Sequence, residues 1–290
     1  MGKLIRCITS NGQVMAIALD STDIVAEAER IHKTSAVVTA GLGRLLTATS
    51  LMGNMLKGKD NSITLRVAGG GPVGSIIAAA DANGDVRGYV TNPVVELPLN
   101  VKGKLDVGSA VGKNGNLYVL KDLGMKEPYN GMVPLVSGEI AEDITAYYAL
   151  SEQTPTVCAL GVLVNPDLTV KVAGGYIIQL LPAAEEATIN KLEDGIKDIP
   201  SVTQMLERGM SPEDIIRRAL KNFEVEVLYE QTTEYKCNCS KERIEKALLS
   251  MGKRDLREMA EEMDKAEIQC HFCDKKYYFT KQELRALEKN

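Results

Sequence analysis

Four of the six cysteines cluster near the end of the chain, as Cys237-Asn238-Cys239 and, beyond the segment Ser240 to Gln269, Cys270-His271-Phe272-Cys273. One C-x-C and one C-x-x-C bring two pairs of thiols to a single centre, and such a set reads first as a tetrahedral zinc site. Zinc takes thiolate sulfur at about 2.3 Å, and four cysteines already fill a closed structural site. His271 is a rival ligand, but it lies inside the knuckle. The C-x-C half is unusual, because ordinary zinc ribbons use C-x2-4-C on both sides. One residue between thiols is tight, and it also allows a strained disulfide if the metal leaves. The same four residues therefore serve either as a structural staple or as a redox switch.

The chain has 290 residues, room for one large domain and a small one. All three Phe lie after residue 222 and Trp is absent, so the earlier core must be built from Val, Ile, Leu, Ala and Met. A net charge of -5 argues against the usual basic footprint of a nucleic-acid binder. No run of 18 or more apolar residues marks a membrane span. The start Met1-Gly2-Lys3-Leu4-Ile5-Arg6-Cys7 carries no apolar signal-peptide core. A cytoplasmic location is expected, where thiols stay reduced and metal binding is favoured over disulfides. Cys7 and Cys158 stand alone among apolar neighbours and read as small buried hydrophobes.

Charge becomes denser after residue 180: 31 charged residues precede Leu181 and 42 follow from there on. The pattern predicts an α+β chain: a mixed sheet-and-helix core over 1–180, an amphipathic helical linker over 181–232, and a small cysteine-bearing domain over 233–290. Asp23 to Lys57 reads as one helix whose small residues, Gly53 among them, imply close packing on a neighbour. Ser62–Val67 and Asp85–Val90 alternate with period 2. Asn83-Gly84 is a hairpin signal, and Asn114-Gly115 before Asn116–Leu120 suggests a second. A helix is expected over about Ile140–Ser151, with strands near Leu160–Val164 and Tyr176–Leu181. Unevenly spaced helices between strand runs favour α+β over a regular βαβ wheel.

Gly69-Gly70-Gly71-Pro72-Val73-Gly74 lacks both the Gly-Lys-Ser/Thr ending of a P-loop and G-x-G-x-x-G spacing, so it reads as a turn. Glu139, Glu142 and Asp143 share one helix face and read as solvent-facing or helix N-terminal charge. With only His32 and His271 in the chain, no Ser-His-Asp set can be assembled, and no catalytic residue is predicted.

Beyond Pro182 the chain reads as amphipathic helices. Ala183-Ala184-Glu185-Glu186 opens the first, with Ile189, Leu192, Ile196 and Ile199 on one face. Ser211-Pro212-Glu213-Asp214 opens another, Ser at the N-cap and Pro at N1. Ser240 caps a helix to Ser250 ended by Gly252, and a short helix spans about Arg254–Met263. Ile268–Phe279 reads as a hairpin with the second cysteine pair at its turn. Thr280–Glu283 is a capping box. This last piece has a thin core, and such units depend on metal for folding.

C-x-C followed by C-x-x-C at the end of a chain of this size resembles the heat shock protein 33 family of redox-regulated holdase chaperones. The resemblance extends to Tyr89-Val90-Thr91-Asn92-Pro93, Ser137-Gly138-Glu139-Ile140-Ala141-Glu142-Asp143 and Ser151-Glu152-Gln153-Thr154-Pro155, and covers essentially the whole chain. It implies one zinc ion (Zn2+) per chain held by Cys237, Cys239, Cys270 and Cys273 in a reduced, inactive state. It implies that oxidation with heat forms Cys237–Cys239 and Cys270–Cys273 disulfides, releases zinc and unfolds the tail. Exposed apolar surface would then capture unfolding client proteins without ATP, in a form that is a homodimer. Neither membrane nor specific nucleic acid is an expected partner. Two other readings remain: a zinc-stabilised RNA-binding protein, supported by Lys236, Lys241, Arg243, Lys275 and Lys276 around the knuckle, and a thiol oxidoreductase, which lacks the thioredoxin-like βαβ context.

Overall fold

A computed structural model describes residues 1–182 and 184–289. The chain divides into two compact units, the first running from Met1 to Lys236 and the second starting at Cys237. In chain order the first unit holds β1 (Gly2–Thr9), β2 (Val14–Asp20), α1 (Thr22–His32), α2 (Ala36–Asn54), β3 (Ser62–Ala68), β4 (Ser75–Asp81), β5 (Val86–Val90) and α3 (Val107–Val111). There follow β6 (Asn116–Asp122), β7 (Tyr129–Pro134), α4 (Ala141–Leu150), β8 (Thr156–Val164), β9 (Val170–Leu180), α5 (Glu186–Ile196), α6 (Val202–Glu207), α7 (Pro212–Ala219) and β10 (Val225–Thr233). The strands form two five-stranded antiparallel sheets, ordered β10-β1-β2-β9-β8 and β5-β4-β3-β6-β7. The α+β class read from the sequence is the class observed.

The core is organised by α2, which packs on β4 and β5 of one sheet and on β8 and β9 of the other. Its length and hydropathy would suit a membrane span, but 89 % of that stretch is buried inside the fold, which accounts for its apolar character. Gly53 shows why small residues recur along it. A Cβ there would lie 2.6 Å from the Asp81 carbonyl oxygen, so only glycine lets the helix approach β4 this closely.

The single helix expected over Asp23–Lys57 is two. Lys33 takes a left-handed conformation (φ 51°) that closes α1, its N–H donating to the Glu29 carbonyl. Ser35 is then extended, and its hydroxyl ties the break to Val95, donating to the carbonyl at 2.7 Å. Asn83-Gly84 does join the antiparallel pair β4–β5. Asn114-Gly115 joins no hairpin: β6 pairs with β3 and β7, and the two residues lie against the end of β3. A Cβ on Gly115 would come within 1.9 Å of the Ala68 carbonyl oxygen, so glycine serves close backbone approach there. The run from Gly69 to Gly74 is the β3–β4 connection, as its turn chemistry predicts.

Of the two readings given for Asp143, the helix N-terminal one holds and the solvent-facing one does not. It is buried, and its carboxylate accepts N–H groups from Val136 (2.7 Å), Ser137 (3.1 Å), Gly138 (3.4 Å) and Ile140 (3.0 Å). A short acid at this helix start can reach back to the turn that no ladder satisfies. Glu139 pairs with Arg44 of α2 and accepts the Gly108 N–H, so it too is structural.

The segment 181–232, predicted helical, is helical only as far as Ala219. Ala183 lies outside the described residues, and α5 begins at Glu186. Ser211 caps α7 as expected, with Asp214 closing the box. Leu192, Val202, Met205, Leu206, Ile215 and Ile216 are buried on a sheet face formed by residues such as Ala16, Ala18, Tyr176 and Ile178. From Val225 the chain is strand β10, paired antiparallel with β1 from Thr9↔Val225 to Gly2↔Thr233, with a one-residue register shift between Arg6 and Cys7. Val225, Val227 and Tyr229 carry the period-2 pattern of β-favouring residues, and pairing with β1 satisfies a sheet edge that helix would have left open. Glu234–Lys236 then run beside β5: the Lys236 N–H donates to Val86 O at 2.9 Å and its ammonium pairs with Asp85 at 2.8 Å. His32 is engaged nearby, its Nε2 2.9 Å from Gly88 O.

The four-fold acceptor role of Asp143 gives a stability test. Asp143→Ala leaves buried amides unpaired and is expected to cost about 2–3 kcal/mol, read as a lower denaturant midpoint with unchanged slope. Ser137→Ala, which keeps the Asp143 carboxylate that accepts those N–H groups, is expected to shift the midpoint far less.

Candidate metal centre

The second unit is built from α8 (Lys241–Met251), α9 (Lys253–Glu262), β11 (Lys265–Gln269), β12 (Lys276–Thr280) and α10 (Lys281–Lys289). Its core is small: Leu248, Leu256, Ala260, Ala266, Tyr277, Phe279 and Leu284 are its buried apolar residues. Ser240 caps α8 by accepting the Arg243 N–H, Gly252 follows α8, and Thr280 with Glu283 forms the capping box of α10. These local signals are legible in the sequence. They place Cys237 and Cys239 on the extended stretch leading into α8.

Cys270 and Cys273 sit in the turn between β11 and β12, whose register runs from Lys265↔Thr280 to Gln269↔Lys276. The turn closes with the Cys270 N–H on Lys275 O (2.9 Å) and the Asp274 N–H on Cys270 O (2.8 Å), Asp274 being left-handed at φ 58°. Both sulfurs thereby face the Cys237–Cys239 arm. All four Sγ atoms lie within 4.8 Å of one another. Cys239 and Cys273 approach to 3.4 Å, Cys237 and Cys270 to 3.7 Å. A tetrahedron with metal–sulfur bonds of about 2.3 Å has edges of about 3.8 Å, so the spacing and the soft donor set fit a four-coordinate metal ion. His271, though adjacent to Cys270, is not among the four clustered donors.

Tyr277 is not singled out by the sequence, and its role is visible only in three dimensions. It is buried, and its hydroxyl donates to Cys239 Sγ at 3.1 Å. The only sequence signal is the alternation that puts Tyr277 and Phe279 on the inward face of β12. Burial opposes ionisation of Cys239, but the Tyr277 hydroxyl and the neighbouring thiols stabilise its thiolate and bring it down to about 7. Burial, the largest cause at both, pushes Cys273 up to about 11 and Cys237 well above the usual thiol range.

The other two cysteines belong to the first unit and are not among the clustered donors. Burial raises Cys7 to about 11 and Cys158 to about 12, which keeps them as unreactive thiols. The cations of the second unit near the knuckle are engaged. Lys241 pairs with Glu283, Lys276 with Glu267 at 2.6 Å, Arg243 donates to Asn238 O at 3.3 Å, and Lys275 lies over the Tyr277 ring.

The fold and site define a class first: a two-unit α+β protein whose smaller unit is organised around four thiols. The family model described as Hsp33 protein matches residues 2–280. Relatives named 33 kDa chaperonin from Lachnoclostridium phytofermentans and Clostridioides difficile are each 51 % identical, covering 97 % of this chain and 96 % of their own. The crystal structure of the 33 kDa chaperonin (heat shock protein 33 homolog) from Thermotoga maritima superposes with a TM-score of 0.88 at 37 % identity, covering 99 % of this chain and 97 % of that one. The chain belongs to the Hsp33 family of chaperones.

Tyr277→Phe removes a donor to a ligand sulfur and is expected to weaken metal binding about tenfold, the usual scale for such supporting partners, in competition with a chromophoric chelator. Cys270→Ser is expected to weaken it much further and to make the tail protease-sensitive, while Cys7→Ala leaves affinity unchanged. Equal affinity for wild type and Cys270→Ser would remove Cys270 from the ligand set.

Proposed function

We propose that this chain is a redox-regulated, ATP-independent holdase that binds unfolding proteins and prevents their aggregation under oxidative and heat stress. One observation carries the reading: four thiols lie within 4.8 Å in a unit with a seven-residue buried apolar core. Bound zinc would hold the sulfurs of Cys237, Cys239, Cys270 and Cys273 as thiolates and contribute about 10–16 kcal/mol to the folding of that unit. Membership of a chaperone family supports the client-binding half of the reading.

The chain's own sulfurs supply the switch. A thiolate attacks peroxide to give a sulfenic acid and hydroxide, and a neighbouring thiol then displaces water from it to form a disulfide. Two electrons leave the sulfur pair and the peroxide is reduced to two waters. Each sulfur so bonded ceases to be a thiolate ligand, and a unit with so little core loses its structure. The proposed pairing is Cys237–Cys239 with Cys270–Cys273, as the family resemblance implies; close approaches of 3.7 and 3.4 Å also run between the two arms, Cys237 to Cys270 and Cys239 to Cys273.

In functional terms residues 1–180 are the chaperone core and dimerisation domain, 181–232 the responsive linker, and 233–290 the switch. Loss of the tail destabilises the linker, and helices α5 to α7 then uncover the apolar face around Ala16, Ala18, Tyr176 and Ile178. The active form is a homodimer, and the reduced thiols suit the cytoplasm.

The test is light scattering by an unfolding client protein. The reduced, zinc-loaded chain is expected not to suppress aggregation. After warm peroxide it suppresses it, and thiol reductant with zinc reverses the effect. Peptide mapping of the oxidised chain is expected to give the two within-arm disulfides; cross-arm bonds from Cys239 to Cys273 would overturn the pairing. No suppression in either redox state would overturn the holdase reading.

A further inference from the structure

The C-terminal end of α2, the β4–β5 turn and the strands β1 and β10 enclose a hollow of 340 Å³, at the lower end of the range for ligand sites. Three cations line it: Arg6 of β1, and Lys57 and Lys59 of the segment that follows α2. Arg6 is half-buried and the two lysines are exposed. No Asp or Glu stands among the walls, although the chain as a whole carries a net charge of -5. None of the three cations is in an ion pair among the described residues.

Arg6 is the informative member. Its Nε and Nη2 donate to Met15 Sδ at 3.2 and 2.8 Å. A thioether is a weak acceptor, so a half-buried guanidinium keeps its charge with no counter-charge. Elsewhere in the first unit the same edge of an arginine meets a carboxylate, as Arg30 does on Glu27. Lys57 and Lys59 have a partial explanation in the dipole of α2, whose C-terminal end favours cations. That explanation does not reach Arg6, which lies on a strand. The last carbonyls of α2 are in any case occupied, Met52 O and Gly53 O accepting the N–H groups of Met55 and Leu56. Neighbouring carboxylates are turned elsewhere. Glu230 follows Tyr229 on β10 and so faces the other side of the strand, where it borders a separate hollow with Lys3. Asp81 Oδ1 accepts the N–H groups of Asn83 (2.9 Å) and Asp85 (3.2 Å) within its own turn.

The walls are braced. The Tyr229 hydroxyl donates to Oδ1 of the buried Asn54 at 2.5 Å, and Gln231 Nε2 donates to Asn83 O at 2.5 Å. These bonds tie β10 to α2 and to the β4–β5 turn, so the hollow is formed before a ligand arrives. We infer that it binds a compact polyvalent phosphate, a di- or triphosphate chain that is either free or carried by a nucleoside. Arginine offers phosphate oxygens a planar fork and lysine a mobile point charge, and the three together call for more than one negative charge. The bound anion joins α2 to β1 and stabilises the folded first unit by mass action. Every residue of the site belongs to that unit and none is a cysteine, so the inference stands apart from the holdase reading.

The test is calorimetric titration of the full zinc-loaded chain, freed of excess zinc, at low salt. The probes are inorganic triphosphate, adenosine triphosphate and tricarballylate, a tricarboxylate without phosphorus. Both phosphates are expected to bind about tenfold more tightly than tricarballylate. Arg6→Gln, and separately Lys57→Gln combined with Lys59→Gln, are each expected to weaken triphosphate about tenfold. Lys126→Gln, an exposed lysine on the connection between β6 and β7, is expected to leave the affinity unchanged. The double lysine variant alters exposed side chains alone, so it tests the site even where Arg6→Gln does not fold. Saturating triphosphate is expected to raise the melting temperature of the wild type and not of the double variant. Of the two phosphates, tighter binding of the inorganic one assigns the site to a free phosphate chain, and tighter binding of the other to a nucleotide. No binding of either phosphate would overturn the proposal. So would tricarballylate binding as tightly as triphosphate, unchanged affinity in both wall variants, or an equal loss in Lys126→Gln, which would show diffuse charge rather than a site.

Discussion

Four sulfur atoms held within 4.8 Å of one another are the constraint on which the second unit depends. Thiols gathered this closely gain little from each other, and as thiolates they repel. A divalent cation reverses that balance. The hairpin turn, the Ser240 cap and the Tyr277 hydroxyl all position sulfur, while the buried apolar residues number only seven. The unit is arranged around its donors more than around its core. The first unit has the opposite character. There α2 is buried between two sheets, and the turn before α4 is fixed by the Asp143 carboxylate.

Tyr277 shows how the two kinds of order meet in one residue. Its ring contributes to the small core and its hydroxyl to the Cys239 sulfur. Packing and ligand electrostatics are thereby coupled: a change that loosens the hairpin also withdraws a donor from the thiolate.

The cysteine set is legible because its information is local: two short spacings, a cap and a hairpin bring the donors together with few long-range demands. Caps at Ser211, Ser240 and Thr280 are legible for the same reason. What escapes the sequence depends on partners distant in the chain. Asp143 looks like any first-turn acid until the turn from Val136 folds over it. Gly115 looks like a hairpin residue until Ala68 is seen beside it. The strand Val225–Thr233 merges into a helical reading because its partner, β1, lies at the opposite end of the first unit's sequence. The break at Lys33 falls on a residue type that rarely adopts positive φ and is held by Ser35 contacts to Pro93 and Val95, again distant in the chain.

The pairing of β1 with β10 also has a consequence for synthesis. The first strand made has one neighbour, β2, at once, but its other neighbour is among the last segments of its unit to leave the ribosome. At roughly 5–20 residues per second, that side of β1 waits on the order of tens of seconds for Val225 and its successors. The sheet is therefore finished only as the cysteine-bearing segment itself begins to emerge. Closure of the large sheet and emergence of the cysteine-bearing segment therefore fall within the same short interval of synthesis.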